Sequence, residues 1–184
     1  MTVQVCESGV VFGDFDEDNV FLIEQAVAQT TLCEAAIKSV EFILLQQSTH
    51  KQPVVNFVEA KSSIPREADD FFQEIRDNKM VHSLRTWFCT VLGRQKLLAA
   101  YLPKHQQTID VLRWPLRLIL VIPSAPDKML PALTDKLRQT LRADIKSWAI
   151  DYSAVSVLNE ERAIKHQLAK GRSTRTPTDA ELTS

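Results

Sequence analysis

Two charged residues follow an apolar segment of this chain. Glu59 and Lys61 come directly after the run 54–58, which contains three valines and a phenylalanine. Because side chains alternate along a strand, Glu59 and Lys61 are expected on one face, with Val58 and Ala60 on the other. Charged groups beside apolar ones are costly unless they pair or bind something. The pattern fits a metal-dependent site, and it equally fits an ordinary ion pair at a strand end.

A second acidic residue lies on the preceding predicted strand. Residues 40–45 are rich in β-forming types and include Glu41, and Pro53 introduces the next strand, 54–61. The polar link between these strands is short, which predicts that they pair antiparallel.

Apolar residues at helical spacing predict the remaining elements. The longest predicted helix covers 67–92, with Gly93 as its C-terminal stop. Other helices are predicted over 24–37, 130–148 and 160–168, the last capped by Asn159. Strands are predicted over 116–122, which is aliphatic enough for a buried central strand, and over 154–158. The alternation predicts an α/β fold with a mixed central β-sheet flanked by helices.

Length and composition indicate one soluble domain. The 184 residues predict a single domain over 1–170 and a disordered polar tail over 171–184. The net charge of −1 gives no bulk attraction to nucleic acid or to an anionic membrane. The charge is uneven, because residues 1–50 carry eight acids and one base and the remainder carries 15 acids and 21 bases. This asymmetry permits a basic working face, or two halves that attract each other.

The cysteines and the hydropathy pattern indicate a cytoplasmic protein. Three cysteines without C-x-x-C spacing argue against a disulfide framework or a zinc site. No signal peptide is visible, and the longest strongly apolar run, 118–122, is too short to cross a membrane. The chain also lacks a nucleophile elbow, a G-x-G-x-x-G motif and a Walker loop, which disfavours triad hydrolases and nucleotide-binding folds.

Glu41 on one strand, Glu59-Ala60-Lys61 on the next and a long helix after them resemble the core of the PD-(D/E)xK nuclease superfamily. This superfamily includes type II restriction enzymes and Holliday junction resolvases. The resemblance covers roughly residues 20–95 and implies a restriction-endonuclease-like fold. The chain departs from the family pattern in two ways. Its first acid is Glu rather than Asp, and only two strands are predicted between the two helices where the family has three. A third strand comes from 20–23 or is absent.

The resemblance implies a metal-dependent phosphodiesterase acting on DNA, in DNA processing or defence. Glu41, Glu59 and the carbonyl of Ala60 would hold Mg²⁺ or Mn²⁺, which prefer oxygen ligands. Lys61 would stabilise the charge that develops at the phosphate. Three further residues are candidate helpers: Glu24, Gln73 and Lys79. Many relatives cut DNA as dimers, although no dimer face is visible in the sequence.

Other interpretations remain open at this point. A divergent member of the superfamily can keep the fold and lose activity. A non-catalytic protein-interaction module would use the 67–92 helix to bind another protein. The tryptophans are better explained by core packing than by base stacking. A group of basic residues in the second half could contact phosphates, but a charged solvent face explains it more simply. These residues are Arg113, Arg117, Lys136, Arg138, Arg142 and Lys146.

Overall fold

Two β-sheets and a set of helices make up the fold. The computed structural model describes residues 1–47, 52–64 and 68–172. The strands are β1 (Thr2–Glu7), β2 (Val10–Asp16), β3 (Val20–Phe21), β4 (Phe42–Gln46), β5 (Val54–Ala60), β6 (Leu116–Val121), β7 (Val155–Leu158) and β8 (Ala169–Arg172). The helices are α1 (Ile23–Ala28), α2 (Ala68–Glu74), α3 (His82–Val91), α4 (Lys96–Ala99), α5 (Leu130–Thr140), α6 (Arg142–Ser147) and α7 (Glu160–Lys165). A π-helical segment, Ile75–Val81, joins α2 to α3.

The larger sheet is mixed, with strand order β3-β4-β5-β6-β7. β3, β4 and β5 pair antiparallel; a short connection joins β4 to β5, whereas α1 and a 3₁₀ turn lie between β3 and β4. β5, β6 and β7 pair parallel, because helical crossovers separate them along the chain. The smaller sheet has the order β1-β2-β8. The α/β class and the mixed sheet flanked by helices are therefore confirmed.

Both faces of the larger sheet are buried. Phe57 and Leu118 face the helices, where they pack in one apolar cluster with Phe72 and Trp87. Val58 and Ile119 belong to a second cluster, which the residues of the smaller sheet complete. The sheet thus has a helix layer on one side and a strand layer on the other, which explains the near-continuous apolar sequence of β6.

Several local predictions are confirmed. β4 and β5 form the expected antiparallel pair. β6 is a buried strand between two neighbours. The Asn159 side chain accepts a hydrogen bond of 3.0 Å from the Arg162 amide at the start of α7. Gly93 follows α3 with a φ of 70°, a left-handed conformation that glycine adopts without steric cost.

Other boundaries were wrong. The predicted 24–37 helix ends at Ala28, and a 3₁₀ turn, Thr31–Cys33, follows it. Thr30 interrupts the helix because its hydroxyl accepts a hydrogen bond from the Leu32 amide, and Ala36 has a φ of 53°. The predicted 130–148 helix is divided into α5 and α6 at Leu141.

The strand ends also differ from the prediction. β4 begins at Phe42, so Glu41 lies immediately before the strand. Val20–Phe21 does pair with β4 as a third antiparallel strand, but it precedes α1 instead of following it. β8 extends to Arg172 and so includes the first two residues of the predicted tail, whereas residues 173–184 lie outside the described part of the chain. None of the helices in the described ranges combines the length and the hydrophobicity that a membrane crossing requires.

Candidate functional site

The pairing of β4 with β5 brings the two predicted acids together. Phe42 is paired with Val58, so one further step along the same register sets Glu41 opposite Glu59. Ile43 and Phe57, two residues from these acids, both pack in the cluster on the helix side. By strand alternation Glu41 and Glu59 face that side too, at the carboxyl end of β5. Carboxyl ends of parallel strands are where α/β sheets usually bind ligands.

Glu59 is a buried carboxylate with little compensation. Its exposed fraction is 0%. Its Oε1 atom lies 3.1 Å from Lys61 Nζ and 3.5 Å from Lys79 Nζ. Neither ammonium meets it at hydrogen-bonding angles, and Oε2 has no hydrogen-bond partner. Burial therefore raises the pKa of Glu59 to about 7, although the two lysines oppose the rise.

Lys79 reaches the cluster from the π-helical segment, where Ile75 and Met80 are buried with it. Its Nζ donates a hydrogen bond of 2.8 Å to Glu24 Oε1. Burial tends to lower the pKa of Lys79, but Glu59 and Glu24 outweigh it, and the pKa is raised. Lys79 thus remains a buried cation, and π-helical turns often occur where a helix supplies a functional group.

Glu24 and Glu41 affect each other's pKa in opposite directions. Burial, a hydrogen bond to Glu24 and repulsion from Glu59 raise the pKa of Glu41 to about 9. Burial acts to raise the pKa of Glu24 as well, but hydrogen bonds from Glu41 and Lys79 prevail and lower it. Glu41 is therefore a neutral acid at pH 7 that donates a hydrogen bond to the Glu24 carboxylate.

The structure thus gathers Glu24, Glu41, Glu59, Lys61 and Lys79 into one group, hereafter the Glu–Lys cluster. Gln73, the remaining candidate helper, does not join it. Its Nε2 donates a hydrogen bond of 2.7 Å to Asp77 Oδ2 on the exposed surface. Ala60 is the last residue of β5, and its side chain packs in the cluster on the opposite face of the sheet.

One residue that positions the cluster was missed in the sequence. The Ser83 hydroxyl accepts a hydrogen bond of 2.8 Å from the Val40 amide, which holds the segment before Glu41 against α3. A serine in a helix gives no sign of a partner 43 residues away. Lys79 did carry a signal, because it lies four residues after Ile75 on the apolar stripe of the predicted helix.

The chemistry of the group fits a divalent cation in part. Three carboxylates, of which Glu59 has buried oxygens without a hydrogen-bond partner, are a suitable donor set for Mg²⁺. In the described ranges, however, no three His, Cys, Asp or Glu side chains are grouped so that they could hold a metal ion as they stand. Metal binding would require Glu41 to lose its proton, as metal sites commonly do on loading.

Comparisons with known proteins add no relative. No protein-family model matches the chain, and neither the curated proteins nor the solved structures include a significant match. The function is therefore argued from the site alone.

The Glu41 proton gives a testable pH dependence. Its pKa of about 9 in the folded protein, against an ordinary value of 4.5, means that the folded state binds the extra proton between these values. The free energy of unfolding consequently falls as the pH rises through this window. Glu41→Gln mimics the protonated acid, so we expect it to raise the free energy of unfolding by about 2 kcal/mol or more at pH 8.5 and by little at pH 5.

Urea denaturation of both proteins at the two pH values measures this difference. Glu34→Gln, at an exposed position, is the matched control and should change stability by less than about 0.5 kcal/mol at either pH. An equal effect of Glu41→Gln at both pH values would contradict the assigned proton.

Proposed function

We propose that this protein is a metal-dependent phosphodiesterase that acts on DNA, with a restriction-endonuclease-like core. One observation carries the proposal: Glu41 and Glu59, on adjoining segments of the sheet, face the same side beside Lys61, and Glu59 is buried without a hydrogen bond. Two lysines balance its charge, but a buried carboxylate whose hydrogen-bonding capacity is unmet is a candidate functional group.

The order of elements supports the same proposal. Glu41 precedes β4, the Glu59-Ala60-Lys61 tripeptide ends β5, and the long α2–α3 helix leads to β6, which is parallel to β5. Three strands pair antiparallel, but β3 lies before α1 in the chain, so only β4 and β5 lie between α1 and α2 and this departure from the nuclease pattern remains. The free state of the three cysteines supports a cytoplasmic location within the proposal.

Each residue of the cluster has a role in such a reaction. Glu41, Glu59 and the Ala60 carbonyl are the groups that would hold Mg²⁺ or Mn²⁺, which when bound polarises the phosphate and lowers the pKa of a water molecule. Lys61, with 31% of its side chain exposed, is accessible enough to approach a phosphate oxygen. Lys79 and Glu24 set the charge of Glu59 and Glu41 from the helix side.

The proposal predicts metal binding that depends on Glu59. Isothermal titration with Mg²⁺ and with Mn²⁺ is expected to show binding to the parent protein and at least tenfold weaker binding to Glu59→Gln. Proton release should accompany binding and vary with buffer ionisation enthalpy, because Glu41 must deprotonate. Glu34→Gln should bind like the parent protein. Equal binding by Glu59→Gln, or no binding by the parent, would refute the metal site.

Cleavage of duplex, branched and single-stranded DNA then tests the reaction. Lys61→Met is expected to lower the rate on the preferred substrate by about 10² to 10³, as loss of one charge-stabilising group usually does. Lys96→Met, at an exposed position away from the cluster, is the control. Unchanged cleavage by Lys61→Met would remove Lys61 from the mechanism.

The second candidate function, a non-catalytic protein-interaction module, is favoured by the two lysines that already offset the charge of Glu59. The apolar stripe of the 67–92 segment is not available for a partner, since Phe72, Met80 and Leu84 are fully buried. Such a module would have to use the exposed face of this helix. It would show neither metal binding nor DNA cleavage, and it would form a complex with another protein that survives Glu59→Gln.

A further inference from the structure

The Lys79 ammonium lies between two carboxylates of the Glu–Lys cluster. Its Nζ is 2.8 Å from Glu24 Oε1 on α1 and 3.5 Å from Glu59 Oε1 on β5. Only 7% of Lys79 is exposed, so the ammonium has exchanged most of its hydration for these two carboxylates. The protein thus supplies a cation of its own at the point where the helix acid approaches the strand acid.

An irregular turn of the helix carries this lysine. Lys79 belongs to the π-helical segment Ile75–Val81, and the consecutive residues Lys79, Met80 and Val81 are all buried. The segment therefore places a charged side chain in the core beside two apolar ones. Because π-helical turns are rare and occur frequently at functional sites, the irregular turn and the buried cation together indicate a functional role for Lys79.

Both lysines of the cluster approach the same oxygen of Glu59. Lys61 Nζ lies 3.1 Å and Lys79 Nζ 3.5 Å from Oε1, whereas Oε2 has no hydrogen-bond partner. Lys61 has 31% of its side chain exposed at the strand end, so it is free to turn away from the carboxylate. Lys79 is buried and held by its hydrogen bond to Glu24. Lys79 is therefore the cation that stays when a ligand enters the cluster.

The charges of the cluster determine how many divalent ions it can hold. With all three glutamates ionised, one divalent ion and the Lys79 ammonium balance their charge, and Lys61 is left to face a phosphate. A second divalent ion would leave positive charge uncompensated in a buried site, which is costly. An ion that bound both Glu24 and Glu59 would also have to take the place of the ammonium that now joins them. The cluster therefore suits a single ion.

We propose that Lys79 takes the place of a second metal ion, so that the cluster binds one divalent ion per chain. The one-ion site presupposes the metal-dependent reaction proposed above, and Lys79 is the residue that limits the number of ions. Two-metal phosphodiesterases hold their ions about 3.5–4 Å apart, and in this chain the ammonium supplies the second positive charge. Without the ammonium, one bound ion would leave a net negative charge, and Glu24 would be free to bind another ion.

Isothermal titration with Mn²⁺ and electron paramagnetic resonance of the bound ion test the proposal. The parent protein should bind one ion per chain and show the spectrum of an isolated Mn²⁺. Lys79→Met should bind two ions, with the magnetic coupling of neighbouring Mn²⁺ ions. The double variant of Lys79→Met with Glu24→Gln should return to one ion, because the carboxylate that would hold the second is gone. Lys165→Met, which breaks only the exposed pair with Glu161, is the matched control and should bind one ion.

Two ions in the parent protein, or one ion in Lys79→Met, would overturn the role of Lys79. The proposed phosphodiesterase would still stand in that case if Glu59→Gln weakens binding. A double variant that binds two ions would also overturn the role of Lys79, since Glu24 would then not hold the second ion. Absence of Mn²⁺ binding by the parent would refute the metal-dependent reaction, and the one-ion site with it. Lys79→Gln is a second neutral variant in case Lys79→Met does not fold, and it should also bind two ions.

Discussion

Replacing Lys79 by methionine is expected to lower the free energy of unfolding by about 2–3 kcal/mol at pH 8 and by clearly less at pH 5. Lys79 is one of two cations near the buried Glu59 carboxylate and is 7% exposed itself. Removing one partner of a buried pair usually costs about 3–5 kcal/mol, because the other charge is left uncompensated. Here the cost is limited, since Glu59 has a pKa of about 7 and can take up a proton instead.

The pH dependence follows from that proton. At pH 5 Glu59 is already neutral in the folded protein, so removing the Lys79 ammonium changes the contribution of Glu59 to the free energy of unfolding very little. At pH 8 the carboxylate must either stay charged without Lys79 or be protonated against the solution pH. Urea denaturation of parent and variant at both pH values measures the difference.

Two further variants make the Lys79 result specific. Adding Glu59→Gln to Lys79→Met should restore most of the loss at pH 8, because the buried charge is gone. Lys165→Met breaks only the exposed pair with Glu161 and should cost about 0.5 kcal/mol or less. A loss that is equal at pH 5 and pH 8, or a double variant no more stable than Lys79→Met, would show that Lys79 stabilises the fold through its bond to Glu24 or the packing of its chain, and not through Glu59.

Trp87→Ala is expected to cause the larger destabilisation, about 4–5 kcal/mol. Trp87 is 1% exposed and packs edge to face against Phe57 at a centroid distance of 5.5 Å. Its Nε1 donates a hydrogen bond of 3.0 Å to Gln106 Oε1. The truncation removes a large buried ring, leaves a cavity and strips a buried amide oxygen of its partner.

The Gln106 contact explains why the ring matters beyond its size. Gln106 Nε2 donates to the carbonyl oxygens of Asn19, at 2.9 Å, and Ile43, at 3.2 Å. One glutamine therefore ties α3 to the segment before β3 and to β4. Trp87→Phe keeps most of the volume but loses the donor, and should cost less than Trp87→Ala.

Chemical denaturation monitored by far-UV circular dichroism measures these stabilities, since both variants lack one of the three tryptophans and their fluorescence is not comparable with that of the parent. Trp148→Ala, at a half-buried ring, is the comparison and should cost less than Trp87→Ala. A loss below about 2 kcal/mol for Trp87→Ala would mean that the core around Phe57 collapses into the space, against the packing described above.

Part of the Glu–Lys cluster could be predicted from the local sequence pattern. Glu59 and Lys61 were placed on one face because alternation along a strand depends only on backbone geometry. Glu41 was predicted on the strand next to Glu59, because the short link between the two strands makes antiparallel pairing almost unavoidable. The register was not predictable from the sequence; the structure pairs Phe42 with Val58, one step from Glu41 and Glu59.

Helix ends were less predictable for an identifiable reason. The 24–37 segment has apolar residues at nearly helical spacing, but Thr30 offers its own hydroxyl to the backbone and ends the helical path. The Thr30 hydroxyl bonds Val27 and Leu32, which are close in the chain, yet the packing around Thr30 decides whether these bonds replace those of a continued helix. The same holds for Leu141, where one helical pattern becomes two helices.

By itself the sequence determined the α/β class, the antiparallel β4–β5 pair, the buried β6 strand, the Asn159 cap and the shared face of Glu59 and Lys61, because each depends on residues close in the chain. Only the tertiary structure decided which charges meet. Lys79 comes to Glu59 and Ser83 to Val40 across long separations, and these contacts depend on how the π-helical segment, α3 and the sheet pack. The tertiary structure also decided the protonation of Glu41, since its pKa rises to about 9 through burial and through neighbours that folding supplies.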